Sequence, residues 1–204
     1  MTEFAVATFV TLLIIIDPLT VAPIFLGLTR FASAEHKRNM ALRGTAIAGG
    51  ILLVFALVGD WLLRTIGIGL PAFRIAGGIL LFLIAVDMVL ARQSGLRATT
   101  PPENEEAGHR DDISVFPLAI PLIAGPGAMT SIMLLMGRAA GDFQRQAIVL
   151  GLTLLVLAIT LVCLLGAGRL ASVLGVTGTN VINRVLGIVL AALAVQFILD
   201  GIRA

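Results

Sequence analysis

Apolar residues run almost unbroken from residue 4 to 28, and Asp17 is the one charged residue in that run. Five more runs follow, at about 46–63, 71–90, 113–136, 147–165 and 181–199. Each is roughly 18–25 residues long, enough to cross a hydrocarbon core of about 30 Å as a helix. In lipid, only helices and closed barrels satisfy every backbone polar group. Barrel strands would alternate apolar and polar over about ten residues, which these runs do not do. The pattern predicts an all-α membrane protein with six transmembrane helices.

Two of the runs contain residues a plain helix would exclude. The first carries Asp17-Pro18 and then Pro23; the fourth carries Pro117, Pro121, Pro126 and Gly127. Proline removes a backbone donor and clashes with the preceding turn. It also pushes the residue before it out of helical geometry. Spans 1 and 4 are therefore expected to be broken at their prolines, span 1 at Asp17-Pro18 and again at Pro23. The frames Pro18-Leu19-Thr20-Val21-Ala22-Pro23 and Pro121-Leu122-Ile123-Ala124-Gly125-Pro126 match. So do the heads of spans 3 and 6, Arg74-Ile75-Ala76-Gly77 and Arg184-Val185-Leu186-Gly187. The expected plan is two inverted three-helix repeats. Repeat 1 covers about 1–92, repeat 2 about 113–204, and a cytoplasmic loop, 93–112, joins them in a single integral membrane domain. An odd number of spans per half makes the second half enter from the opposite side.

Composition agrees with the pattern. The 204 residues are 58% hydrophobic and 13% charged; soluble domains are about 45–50% apolar and about 25% charged. A net charge of +2 gives no reason to expect a nucleic-acid partner. The bilayer itself is the expected partner, with a small-molecule solute and a possible homo-oligomer. The single cysteine, Cys163, lies in an apolar run and reads as a structural thiol. No Lys or Arg precedes Arg30, so the first run is expected to remain as a span and not to be cleaved as a leader. The polar stretch 92–112 holds Pro101, Pro102, Glu103, Glu105 and Glu106 and is expected to be disordered. Loops one, three and five carry eight Lys and Arg, from Arg30 to Arg169, against four on the other side. Both termini are therefore expected outside.

Ionisable residues within spans are costly and point to function. Asp17 lies past the midplane, level with the start of span 6. It is expected to face Arg184, or at least the polar group Asn180, Asn183 and Arg184. Asp60 and Arg74 are expected to share the opposite side, with Asp87 back on the Asp17 side. The alternative is that the arginines reach out to the headgroups and the aspartates cap helix ends. A helix that restarts inside the membrane presents free N–H groups suited to a carboxylate, and its unwound turn presents carbonyls suited to an ammonium or a coupling cation. The candidate substrate-binding residues are Asp17, Pro18, Thr20, Pro23, Pro121, Gly125, Pro126, Gly127, Thr130, Arg184 and Gln196. Gly125 and Gly127 leave room for backbone approach, Thr20 and Thr130 add hydroxyls, and Gln196 lies deep in span 6. No metal site or cofactor is expected, apart from possible coupling to H+ or Na+. The chain lacks a phosphate loop, a His-Glu-x-x-His motif and a Gly-x-Ser-x-Gly motif, so it is not expected to be an enzyme.

At these residues the chain resembles the MarC family of bacterial inner-membrane proteins. The resemblance runs through Asp17-Pro18 with Pro23, Gly77 to Ala85 with Asp87-Met88, Pro117 to Thr130, and Arg184 through Gln196 to Gly201. It covers nearly the whole chain outside 92–112. The family pattern has glycine where this chain has Thr20. The resemblance implies a multi-pass inner-membrane protein. Some relatives are described as transporters of neutral amino acids such as alanine and glycine. Sequence and resemblance together lead to a secondary transporter of small polar solutes. The alternatives are a channel using the same breaks as a filter and a non-transporting membrane scaffold.

Overall fold

The structure, a computed structural model, describes residues 1–91 and 112–204, with the side chain of Val176 also outside the description. The expectation of disorder in the polar loop falls, except for Asp112, outside the described residues. Helices α1 (Thr2–Ile16), α2 (Pro18–Leu28), α3 (Ala34–Thr65) and α4 (Leu70–Leu90) form the first part. The second part holds α5 (Ser114–Ile123), α6 (Pro126–Arg138), α7 (Phe143–Leu165) and α8 (Ala167–Ile202). Five stretches are long and apolar enough to span a membrane: Thr2–Leu28, Ala34–Thr65, Leu70–Leu90, Phe143–Leu165 and Thr177–Ile202. The pair α5 and α6, bent by 54° at its junction, supplies a sixth if it crosses as one.

Three elements differ from the sequence expectation. Helix α3 starts about a turn after Arg30, so most of the basic stretch is helical. Ser33 caps it by accepting the His36 N–H at 3.2 Å, and Glu35 in the first turn complements the helix dipole. The long loop expected before span 6 is also helical. Helix α8 begins at Ala167 and is interrupted only at Gly175, whose φ of 59° places it in the left-handed region open to glycine. Finally, α2 runs through Pro23, where a second interruption of span 1 was expected. Pro23 sits six residues into a short helix, so its missing donor removes a single backbone bond.

Helices α4 and α8 lie antiparallel in close contact. A Cβ on Gly78 would come within 2.8 Å of the Ala194 carbonyl, one on Gly187 within 2.8 Å of Met88 Cβ, and one on Gly201 within 2.8 Å of the Pro71 carbonyl. Small residues let membrane helices approach backbone to backbone. The same device sets α3 on α5, where Gly44 faces Leu118, and α3 on α6, where Gly59 faces Met133. Helix α1 packs on α7, and α2 packs on α7 and α8. The principal helix contacts join the first four helices to the last four. Between them lies the apolar core, including Leu12, Ile16, Leu81, Leu118, Ile132 and Phe197, while Val54, Leu57, Trp61, Val162 and Ile188 point outward.

Candidate functional site

The junction of α1 and α2 is made by one residue. Asp17 is 2% exposed and adopts φ 46°, ψ 68°. Pro18 disfavours helical geometry at Asp17, and aspartate tolerates the left-handed region better than most residues. Asp17 still donates its N–H to the Leu13 carbonyl at 3.0 Å, closing α1. Its Oδ1 accepts the Thr20 N–H at 3.3 Å, capping α2. Pro18 takes the first helical position, where its missing N–H is no loss.

The second junction is built differently. In α5, Phe116 (φ −128°, ψ 126°) and Ile120 (φ −127°, ψ 123°) are extended, and each precedes a proline joined by a cis bond. Between them the chain makes wide turns, with the Leu118 N–H bonded to the Ile113 carbonyl at 3.1 Å and the Ala124 N–H to the Ala119 carbonyl at 2.8 Å. Asp112 steadies the start of α5 by accepting the Ser114 N–H at 2.8 Å. Its hydrogen bonds with Ser114 hold the Asp112 carboxyl below its ordinary range, with the Arg43 guanidinium adding to the effect. Helix α6 then begins at Pro126. Gly125 is required there, because a Cβ would lie 2.4 Å from the Pro121 carbonyl oxygen.

The end of α1 approaches the second junction through Ile15. Gly127 faces Ile84 of α4 and Ile15 of α1, two residues from Asp17. Ile15, Ile84, Pro121, Gly125, Gly127 and Ala128 line a recess of about 20 Å³, room for about one water molecule. The α2 turn is tied to α8, where Asn183 Nδ2 donates to Thr20 Oγ1 at 2.8 Å. Asn183 is 9% exposed, and its Oδ1 is buried without a partner among the described residues. Such an orphan acceptor costs about 1–3 kcal/mol. Native proteins keep few of them.

Several candidate residues are placed elsewhere. Arg184 is exposed, whereas Asn183 is buried and reaches Thr20 in the turn after Asp17. Successive helical residues stand about 100° apart, so the two cannot share a face. The buried stripe Asn183, Gly187, Leu190, Ala194, Phe197 and Gly201 carries the signal that picks out Asn183. Gln196 is exposed and donates to Asp200 Oδ1 at 2.6 Å, roughly 20 Å along α8 from Asn183. Thr130 sets its methyl against Gly77 of α4, and Pro126 is exposed at the start of α6. Asp60 pairs with Arg64 on its own helix, at 2.9 Å. Asp87, next to Met88 on Gly187, lies toward the Asn183 end of α8.

The sequence reading missed the ion pair of Arg138 on α6 with Asp200 on α8. The Arg138 guanidinium also stacks 4.1 Å from the centre of the Phe197 ring. Both charged side chains are largely removed from water. Asp200→Ala, which leaves Arg138 without its carboxylate, is expected to cost about 1–3 kcal/mol. Pairing it with Arg138→Met should recover most of that. Thermal unfolding of the two single variants and the double variant in detergent measures the coupling. Among the described residues, no three His, Cys, Asp or Glu side chains gather as metal ligands would.

Comparison with known proteins places the chain. It matches the model of a family described as "MarC family integral membrane protein" over residues 2–204. It is 38% identical over 201 residues to the UPF0056 membrane protein MJ1677 of Methanocaldococcus jannaschii, covering 98% of this chain and 97% of that one. It is 34% identical over 203 residues to the UPF0056 membrane protein YvbG of Bacillus subtilis, covering 100% of this chain and 96% of that protein. Over 199 residues it is 33% identical to the UPF0056 membrane protein YhcE of Escherichia coli, covering 96% and 90% of the two chains. No solved structure matches it. The multi-pass helical architecture and these matches agree, and the chain belongs to the MarC family of integral membrane proteins.

Proposed function

We propose that the protein is a secondary transporter of the plasma (bacterial inner) membrane, moving small polar solutes of the neutral amino acid class. The observation that carries the reading is the recess at the Pro121–Gly127 junction, which Ile15 lines from α1, two residues before the Asp17 turn. The first turns of α2 and α6 supply backbone N–H groups for a solute carboxylate. Asp17 and the irregular carbonyls of α5 supply oxygen for an ammonium group. In this reading Asp17, Thr20, Pro121, Gly125 and Gly127 form the binding region, with Pro18 setting the start of α2.

Two inverted repeats fit this packing. The equivalent last spans, α4 and α8, lie antiparallel, and the matched glycines Gly77 and Gly187 both face the partner half. Span 1 packs on span 5 as span 4 packs on span 2. An in-plane pseudo-two-fold axis exchanges those contacts, as in many secondary transporters. Rocking one half against the other would expose the recess to each side in turn. Both termini would lie outside, by the excess of Lys and Arg in loops one, three and five.

Uptake of labelled alanine and glycine into proteoliposomes tests the reading, with imposed proton and sodium gradients and with Asp17→Asn alongside the wild type. Gradient-driven uptake that the variant loses is expected. No uptake of either solute, or of another small neutral amino acid, under either gradient would overturn the reading.

A further inference from the structure

We infer that Asn183 is a ligand-binding residue, and that its side-chain oxygen receives a cationic group, either the ammonium of the transported solute or an inorganic coupling cation. The inference rests on the transporter reading and adds to it the chemistry of one position. Asn183 is more than nine-tenths buried, on the face of α8 that meets the first part of the chain. Its amide is already oriented, because Nδ2 is committed to Thr20 Oγ1 at 2.8 Å. Oδ1, the other half of the same amide, is buried and has no partner among the described residues. An oriented acceptor withheld from both water and protein is set for a donor that arrives later.

The surroundings favour positive charge. Thr20, the partner of Asn183, stands in the first turn of α2, and its N–H is capped by Asp17 Oδ1 at 3.3 Å. Thr20 therefore links the Asp17 carboxylate, through its backbone N–H, to Asn183 of α8, through its hydroxyl. A carboxylate, a hydroxyl and an amide carbonyl make a donor set for a hard cation or an ammonium. Arg184, the nearest cation in sequence, is exposed, while Asn183 beside it is buried.

The test uses the purified full-length chain in lipid nanodiscs and reads the thermal-unfolding midpoint. Sodium chloride is titrated against choline chloride at equal ionic strength, and glycine is titrated separately. The wild type should be stabilised by one of the two probes. Stabilisation by sodium identifies an inorganic cation, and stabilisation by glycine alone identifies the solute ammonium. Asn183→Leu should weaken that binding by about tenfold to a hundredfold, and Asn183→Asp, which keeps an oxygen acceptor, should retain or tighten it. Binding by Asn183→Leu equal to wild type would overturn the inference. So would loss of binding in Asn183→Asp, a result that remains decisive if the leucine variant does not fold. A wild type that responds to neither probe would overturn it as well. Tracer uptake decides the transporter reading separately: uptake that persists in Asn183→Leu with unchanged binding removes the inference and leaves the transporter.

Discussion

Gly78→Val is expected to separate α4 from α8 and to cost about 3 kcal/mol or more, at the upper end of what overpacking does. Even a single Cβ at Gly78 would stand 2.6 Å from Ile198 Cγ1, 2.8 Å from the Ala194 carbonyl and 3.1 Å from the Ile198 N–H nitrogen. Two of those three atoms are backbone, so no rotamer change relieves the contact. The helix must move instead, and α4 with α8 is the most extensive helix pair in the molecule. Lipid offers no hydrophobic penalty for separating two apolar helices, so close packing has to hold them. Gly50→Ala is the control, because outside its own stretch of helix no atom of the described residues lies within 4 Å of the added methyl. It should be neutral or stabilise by about 0.5–1 kcal/mol through helix propensity. Unfolding midpoints in detergent and the yield of monodisperse protein measure both.

Asp17→Ala should lower stability by about 2 kcal/mol and reduce solute uptake by at least about tenfold, since two separate functions of the residue are lost. Alanine is strained at φ 46°, and it removes the acceptor for the Thr20 N–H. Freed of its cap, the first turn of α2 would shift, taking Thr20 away from Asn183. Asp17→Asn separates the two consequences. Asparagine tolerates the left-handed region and caps helices as well as aspartate does, so its stability should stay close to wild type. Uptake lost in Asp17→Asn with the fold intact assigns the charge to transport. Uptake retained in Asp17→Asn but lost in Asp17→Ala assigns Asp17 to shaping the turn.

The spanning helices were legible because long apolar runs have few other folds in lipid. The starts of α2 and α6 were legible through Pro18 and Pro126, each of which stands at the first position of its helix. The extra turns of α3 and α8 were not. Charged residues such as Lys37, Arg38 and Arg169 are good helix formers, and a hydropathy reading stops where they begin. Within the polar group Asn180, Asn183 and Arg184, charge favours Arg184 as the site residue, whereas the spacing to Gly187 puts Asn183 on the buried side. Gln196 was assigned to the site because it lies within a span. Depth along α8 separates it from Asn183, and a linear reading does not carry that distance. The mutual packing of the two parts, with Gly44 on Leu118 and Gly78 on Ala194, depends on tertiary contacts that no local pattern encodes.

A transporter of this plan needs the turn at Asp17 and Thr20 to line a solute site reached from either side of the membrane. A cysteine at Thr20, with Cys163 replaced by alanine, tests it most directly. A membrane-impermeant thiol reagent is applied to each face of oriented vesicles, under gradients of either direction, with and without glycine. Labelling is expected from one face under one gradient and from the other face under its reverse, with protection by the solute. Labelling from neither face would contradict it and favour a scaffold. Simultaneous labelling from both faces without protection would contradict it in favour of a channel.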